Sequence, residues 1–244
     1  MRALIFVFFL MWVVPVLAVP EGAFLRQVEK APKADSRADI KKLVQALTDS
    51  LEKDEDKAYV LLLWIVKNID YDDYRYRQSE DKASSNHSRA VVPEAGDILK
   101  KRLGMCGDIA DLYKDMLREA KIKAHTIEGC TNEVDKKHKK CQDNKGGHAW
   151  NVVWIENQWE FVDPTWAITG EQKTAMENVS RKSEYNREMK KRERKTSQNY
   201  DIREGRILNK KWFMTDPRTM QEKHKPYDKK WLLLDSKDRR NKKL

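Results

Sequence analysis

The sequence predicts an α+β domain in which helices pack on an antiparallel sheet. Two observations carry this reading. Apolar residues recur at helical spacing through residues 36–69 and again from Ile109 to Ala120, the mark of helices with one face in a core. After Lys121 the period falls to two, and the runs His148–Ile155 and Gln158–Val162 flank Glu156-Asn157, which reads as a hairpin turn. Helices followed by strands favour helices layered on one antiparallel sheet.

Taken in order, Met1-Arg2 is a minimal positive segment, and Ala3 to Val14 is an apolar run ended by Pro15. Residues 1–18 read as a signal peptide cleaved after Ala18. The alternative is an uncleaved N-terminal anchor, although the run is short of the roughly 20 residues a membrane span needs. Residues 19–35 read as a lead into the domain. Asp35-Ser36 can cap a helix to about Leu51, with Ile40, Leu43, Val44 and Leu47 on one stripe. Asp54 or Asp56 opens a second helix whose broad apolar face (Ala58, Leu61, Leu62, Ile65, Val66, Ile69) marks it as deeply buried. Residues 72–92 are polar and carry a glycosylation sequon at Asn86; a second sits at Asn178. A short helix spans Pro93 to Lys101. Gly104 and Gly107 bracket Cys106, suggesting a tight turn into a helix with the cysteine in its first turn. Residues 122–129 form the first strand of the sheet. Residues 171–210, rich in Lys, Arg and Glu, read as a charged insertion, either a solvated helix or partly disordered. Order returns at Lys211–Met214 and Trp231–Leu234, and 236–244 form a basic tail. The domain therefore spans 19–235.

A hydrophobic fraction of 40% can supply a core, while 36% charged residues must be mostly solvated. The net charge of +10 favours anionic surfaces or polymers without naming one, and a merely solvated surface explains it equally well. There is no internal repeat, no phosphate loop and no nucleic-acid motif, and export argues against nucleic-acid binding. No second apolar stretch reaches membrane length, so no stable transmembrane segment is expected after cleavage.

Three cysteines in an exported chain leave one thiol over. Cys130 and Cys141 bracket a short polar loop and are the natural disulfide, worth about 3 kcal/mol by chain entropy. The run Lys136–Lys140 between them reads as a solvated loop tip. Cys106 is then the free thiol. A helix N-terminus beside it favours the thiolate. His148 opens a strand after Gly146-Gly147, and Asp163 closes the next before Pro164. A turn at Glu156-Asn157 gives cross-strand partners whose numbers sum to about 313. His148 then faces Thr165 and Asp163 faces Trp150, which makes His148 and Asp163 diagonal neighbours on one face. Thiol, base and orienting carboxylate are the parts of a nucleophilic triad. Each residue also has a plainer reading: a buried small hydrophobe, a satisfied core histidine, a turn aspartate. His125 and His224 read as structural or exposed, and Trp150, Trp154, Trp159 and Trp166 as sheet packing. A zinc set of Cys130, His138, Cys141 and His148 matches no finger spacing. No cofactor is expected.

Three segments resemble the transglutaminase-like superfamily of the papain-type thiol fold. They are GMCGDIADLYKDMLREAKIKA around Cys106, GGHAWNVVWIENQWEFVDPTWA with His-Ala-Trp and Asp-Pro-Thr-Trp at successive strands, and DKAYVLLLWIVKNIDYD upstream. Downstream, WFMTDPRTMQEKHKPYDKKWLLL is similar to an extension in the branch that includes kyphoscoliosis peptidase. The resemblance covers roughly residues 55–235. It implies Cys106 as nucleophile, His148 as general base and acid, Asp163 as orienter, and an acyl-thioester formed from a protein or peptide amide. It also implies an oxyanion donor at the Cys106 backbone N–H, with Tyr71 as a weaker side-chain candidate that reads equally well as core. Hydrolysis is favoured over cross-linking because nothing marks a dedicated amine site. A binding domain that keeps the fold without catalysis is the rival reading.

Overall fold

Part of the presumed lead is helical: α1 (Glu21–Glu29) buries Phe24 and Val28 one turn apart, and the Phe24 ring lies 5.2 Å from Tyr59. The computed structural model describes residues 21–72, 75–76, 95–131, 147–169, 208–233 and 236–240. The presumed signal peptide, both sequons, the Lys136–Lys140 run, His138, Cys141 and nearly all of the charged insertion lie outside the described residues.

Asp39 Oδ2 accepts hydrogen bonds from the Ser36 N–H (2.9 Å) and hydroxyl (2.7 Å). This closes a 3-10 turn, Arg37–Asp39, which leads into α2 (Ile40–Thr48). The apolar stripe read from the sequence is its buried face. Helix α3 (Asp54–Asn68) has three acidic residues in its first turn and Lys67 in its last, both favourable to the helix dipole. Every residue from Val60 to Val66 is buried, so this is the central helix. It ends at β1 (Asp70–Tyr71), which pairs in parallel with β2 (Leu103–Gly104); α4 (Ala95–Lys101) lies between them in the chain.

Helix α5 (Cys106–Glu119) starts at the cysteine itself. Gly107 is a helical residue with open space where a Cβ would be, so no steric need for glycine exists there. The Tyr113 hydroxyl of α5 donates to the Ala58 carbonyl of α3 (3.0 Å), tying the two helices together.

The sheet is built from β3 (Ala124–Thr131), β4 (His148–Ile155) and β5 (Gln158–Val162). After α6 (Pro164–Thr169), it gains β6 (Phe213–Thr215) and, beyond α7 (Pro217–Lys223), β7 (His224–Pro226). Its order is β6-β5-β4-β3-β7, with every neighbouring pair antiparallel. Helix α5 packs on β3 and β4. The buried Asn151 of β4 donates to the Ala110 carbonyl of α5 at 3.0 Å.

Glu156 (φ 46°) and Asn157 (φ 64°) both adopt the left-handed conformation, as a two-residue type I′ hairpin requires. Partners from Ile155↔Gln158 to Asn151↔Val162 follow the sum of 313. The extrapolation of that ladder to Thr165 and Asp163 fails. Pro164 has no N–H to give a ladder and its φ suits a first helical position. The chain therefore turns into α6, the Asp163 N–H donates to the Trp212 carbonyl (2.9 Å), and His148 pairs with Gly129 of β3.

Candidate active site

The entrance to α5 is fixed by charge. Met105 is extended (φ −81°, ψ 173°) and its N–H donates to Asp108 Oδ2 (2.9 Å), the third residue of the helix. Arg75 donates to the same oxygen (2.6 Å). Burial raises the Asp108 pKa, against the pull of the Met105 N–H and of Arg75. Cys106 thus heads a pinned helix, with a free thiol that is partly exposed.

His148 reaches this thiol from the start of β4. Its Nε2 donates to Asp163 Oδ2 at 2.6 Å, which leaves Nδ1 for the hydrogen bond the imidazole makes with Cys106. The ring is held between Trp150 (centroids 6.0 Å) and Trp166 (5.5 Å), at 26° to each. Burial opposes a charge on this imidazole. The Asp163 carboxylate, and after it Cys106, outweigh burial and push its pKa up to about 10.

Asp163 is fully buried and serves twice. Its Oδ1 accepts from the Trp166 N–H (2.9 Å), capping α6, while Oδ2 faces the histidine. Burial would raise its pKa, but His148 and then His224 hold it well below the usual carboxylate range. The Asp163 side chain therefore both caps α6 and faces the histidine.

The sequence missed the closeness of His224. This residue opens β7, is completely buried, and donates through Nε2 to the same Asp163 Oδ2 at 2.8 Å. The sole sequence signal was its place in the downstream segment that resembles the family branch. The other sequence candidates sit elsewhere. His125 packs between Trp159 and Trp231 (5.3 Å each), and burial together with Arg118 and Lys123 lowers its pKa. Tyr71 lies on β1 opposite Gly104, its ring 6.3 Å from Tyr76. Trp150, Trp159 and Trp166 are buried in the core and Trp154 is partly so, as read. His148, Asp163 and His224 offer ligand atoms within 4.8 Å of one another, a closeness that the two short hydrogen bonds to one carboxylate oxygen already explain.

A thiol at a helix start, an imidazole at the head of a strand and a buried carboxylate at the end of the next are the layout of a papain-type thiol site on an α+β fold. The family model described as the transglutaminase-like superfamily matches residues 41–164, a span that includes all three groups. The chain belongs to that superfamily. It is 24% identical over 214 residues to kyphoscoliosis peptidase of Homo sapiens and, equally, of Mus musculus, covering 86% of this chain. It spans only 27% of the length of those relatives. Among solved structures it is similar to a TGase (16% identity, TM-score 0.41, 68% of this chain and 38% of that one). It is also similar to a provisionally assigned cysteine protease from Cytophaga hutchinsonii (20% identity, TM-score 0.39, 62% and 45%).

Proposed function

We propose that this protein is a thiol enzyme that acts on protein or peptide amides, with Cys106 as nucleophile, His148 as general base and acid, and Asp163 as orienter. One observation carries the reading: a partly exposed thiol at a helix N-terminus hydrogen-bonds an imidazole whose other nitrogen lies 2.6 Å from a buried carboxylate. The Cys106 thiolate attacks the amide carbonyl carbon, and first-turn N–H groups of α5, that of Cys106 among them, receive the oxyanion. The tetrahedral adduct collapses to a thioester as His148 hands its proton to the leaving amine. A water then gives its proton to His148 and attacks the thioester, releasing the carboxylic acid and the thiol. An amine in place of water would give acyl transfer. Hydrolysis is the favoured outcome, since water is always available to the thioester.

Export by residues 1–18 and a Cys130–Cys141 disulfide belong to the same proposal. In support, Cys106 is free among the described residues while Cys130 is engaged. An oxidising destination would then leave one working thiol.

The test is intact mass after brief iodoacetamide treatment at mildly acidic pH without reductant, on wild type, Cys106→Ala and His148→Ala. One fast alkylation on wild type, none on Cys106→Ala and slow labelling of His148→Ala is the expected result. Equal slow labelling of wild type and His148→Ala would instead favour a binding domain that keeps the fold. Peptide substrates offered with and without an amine then separate hydrolysis from transfer, and stable cross-links with little hydrolysis would overturn the hydrolase preference.

A further inference from the structure

The superfamily site needs one histidine, and this chain brings two to the same carboxylate oxygen. We infer that His224 is a positioning residue of the site: its Nε2–H holds Asp163 Oδ2 so that the carboxylate stays aimed at His148. The inference rests on the proposed role of Cys106 and His148.

The geometry is over-determined. Asp163 Oδ1 is fixed by the Trp166 N–H at 2.9 Å, and Oδ2 by His148 at 2.6 Å and by His224 at 2.8 Å. Without His224, nothing described but His148 itself would anchor Oδ2, and His148 must be free to exchange protons with the thiol. The second imidazole is caged by Trp166 (4.3 Å), Trp150 (4.9 Å) and Trp212 (5.5 Å). It can neither rotate away nor reach water. The nitrogen aimed at Asp163 is Nε2, while the Met220 backbone also engages the ring and works against burial. Burial lowers the His224 pKa. A neutral ring with its proton on Nε2 therefore donates to the carboxylate without adding a second positive charge beside His148.

Two glycines allow the approach. A Cβ on Gly129 would lie 2.3 Å from the Lys225 carbonyl oxygen and 2.8 Å from Pro226 Cα, both on β7. A Cβ on Gly147 would lie 2.6 Å from the Tyr227 hydroxyl. The strand that carries His224 is thus seated closely against β3, and the residue that follows that strand against the residue that precedes His148.

The experiment follows Cys106 alkylation by iodoacetamide across pH in wild type, His224→Phe and His224→Gln, with thermal melts of each. Gln can place an amide N–H near Nε2; Phe fills the cage without a donor. His224→Phe is expected to alkylate about 10-fold to 10²-fold more slowly. Its acid limb should move up by about one pH unit, because a carboxylate that is less firmly held stabilises the His148 imidazolium less, and with it the thiolate. His224→Gln should stay close to wild type. A His224→Phe protein with wild-type rate and acid limb overturns the inference. So does equal loss in both variants with an unmoved acid limb, which is what packing damage alone would produce. Should the variants not fold, nuclear magnetic resonance of isotope-labelled histidine in wild type and His148→Ala gives the answer. An exchange-protected Nε2 proton from His224, present in both, is expected, and its absence from folded wild type overturns the inference. A wild-type thiol no faster than an ordinary cysteine sinks the proposed function and this role with it; a fast wild type with an unaffected His224→Phe sinks this role alone.

Discussion

Burial alone would strip the proton from His148; the carboxylate 2.6 Å away keeps it in place, to a pKa of about 10. Two processes at the same thiol should therefore part company in alkali. Amide turnover needs His148 to deliver a proton to the leaving amine, so it should fall as pH rises through about 10. Alkylation needs only the thiolate and should not fall there. Parallel pH profiles of peptide turnover and iodoacetamide labelling check this, and a common alkaline decline would sink it. Stability should carry the same signature. The His148 value is raised above its ordinary 6.5, so its contribution is complete below that pH and fades toward about 10. The Asp163 value is depressed below its ordinary 3.8, so its contribution is present above that pH and lost in stronger acid. Melts of wild type and Asp163→Asn should thus differ most between pH 3.8 and 6.5 and draw together toward pH 10.

At the scale of elements, the seating of β7 on β3 decides whether the second histidine reaches the carboxylate. Gly129 pairs with both His148 and Pro226. In Gly129→Ala the new methyl would meet the Lys225 carbonyl oxygen at 2.3 Å and Trp150 Cη2 at 2.4 Å, and backbone cannot yield as a flexible side chain can. The variant should lose about 1–3 kcal/mol, the usual cost of overpacking, and should also alkylate more slowly because β7 carries His224. Urea unfolding and the alkylation rate measure the two effects, and a neutral Gly129→Ala would mean that β7 is loosely seated. The elements set by near neighbours were legible in the sequence: α2 and α3 from their stripes, the β4–β5 hairpin from Glu156-Asn157, and the head of α5 from Cys106 and its flanking residues. The closeness of His148 and Asp163, 15 positions apart, was legible from the hairpin between them, although the ladder that predicted it stops at Val162. Elements of too few residues to show a period were not. β6 and β7 have three residues each, and α1 has only two buried residues. The Asp163–His224 contact spans 61 residues and leaves no local pattern to read.

At the scale of the molecule, the family match and the folded unit have different limits. The match stops at residue 164, yet both edges of the sheet, β6 and β7, lie beyond residue 208. The same segment buries Leu208, Trp212, Met220, Trp231 and Leu233. Trp212 stacks edge-on against Trp166 at 4.6 Å, and its carbonyl receives the Asp163 N–H. Burying a large apolar side chain contributes about 1.5–3 kcal/mol. The five together are therefore worth on the order of 10 kcal/mol, which matches the whole stability of an ordinary domain. A chain ended after residue 207 should not keep a weakened site; it should lose the cooperative fold. The expected result is a truncated protein without near-ultraviolet circular dichroism or a thermal transition, its Cys106 labelling at the rate of an unfolded thiol. A truncated protein that melts cooperatively near the wild-type temperature would show that residues 208–240 are an accessory to the domain. Because the segment also delivers His224, such a protein would separate the two roles, with its fold intact and its Asp163 short of one donor.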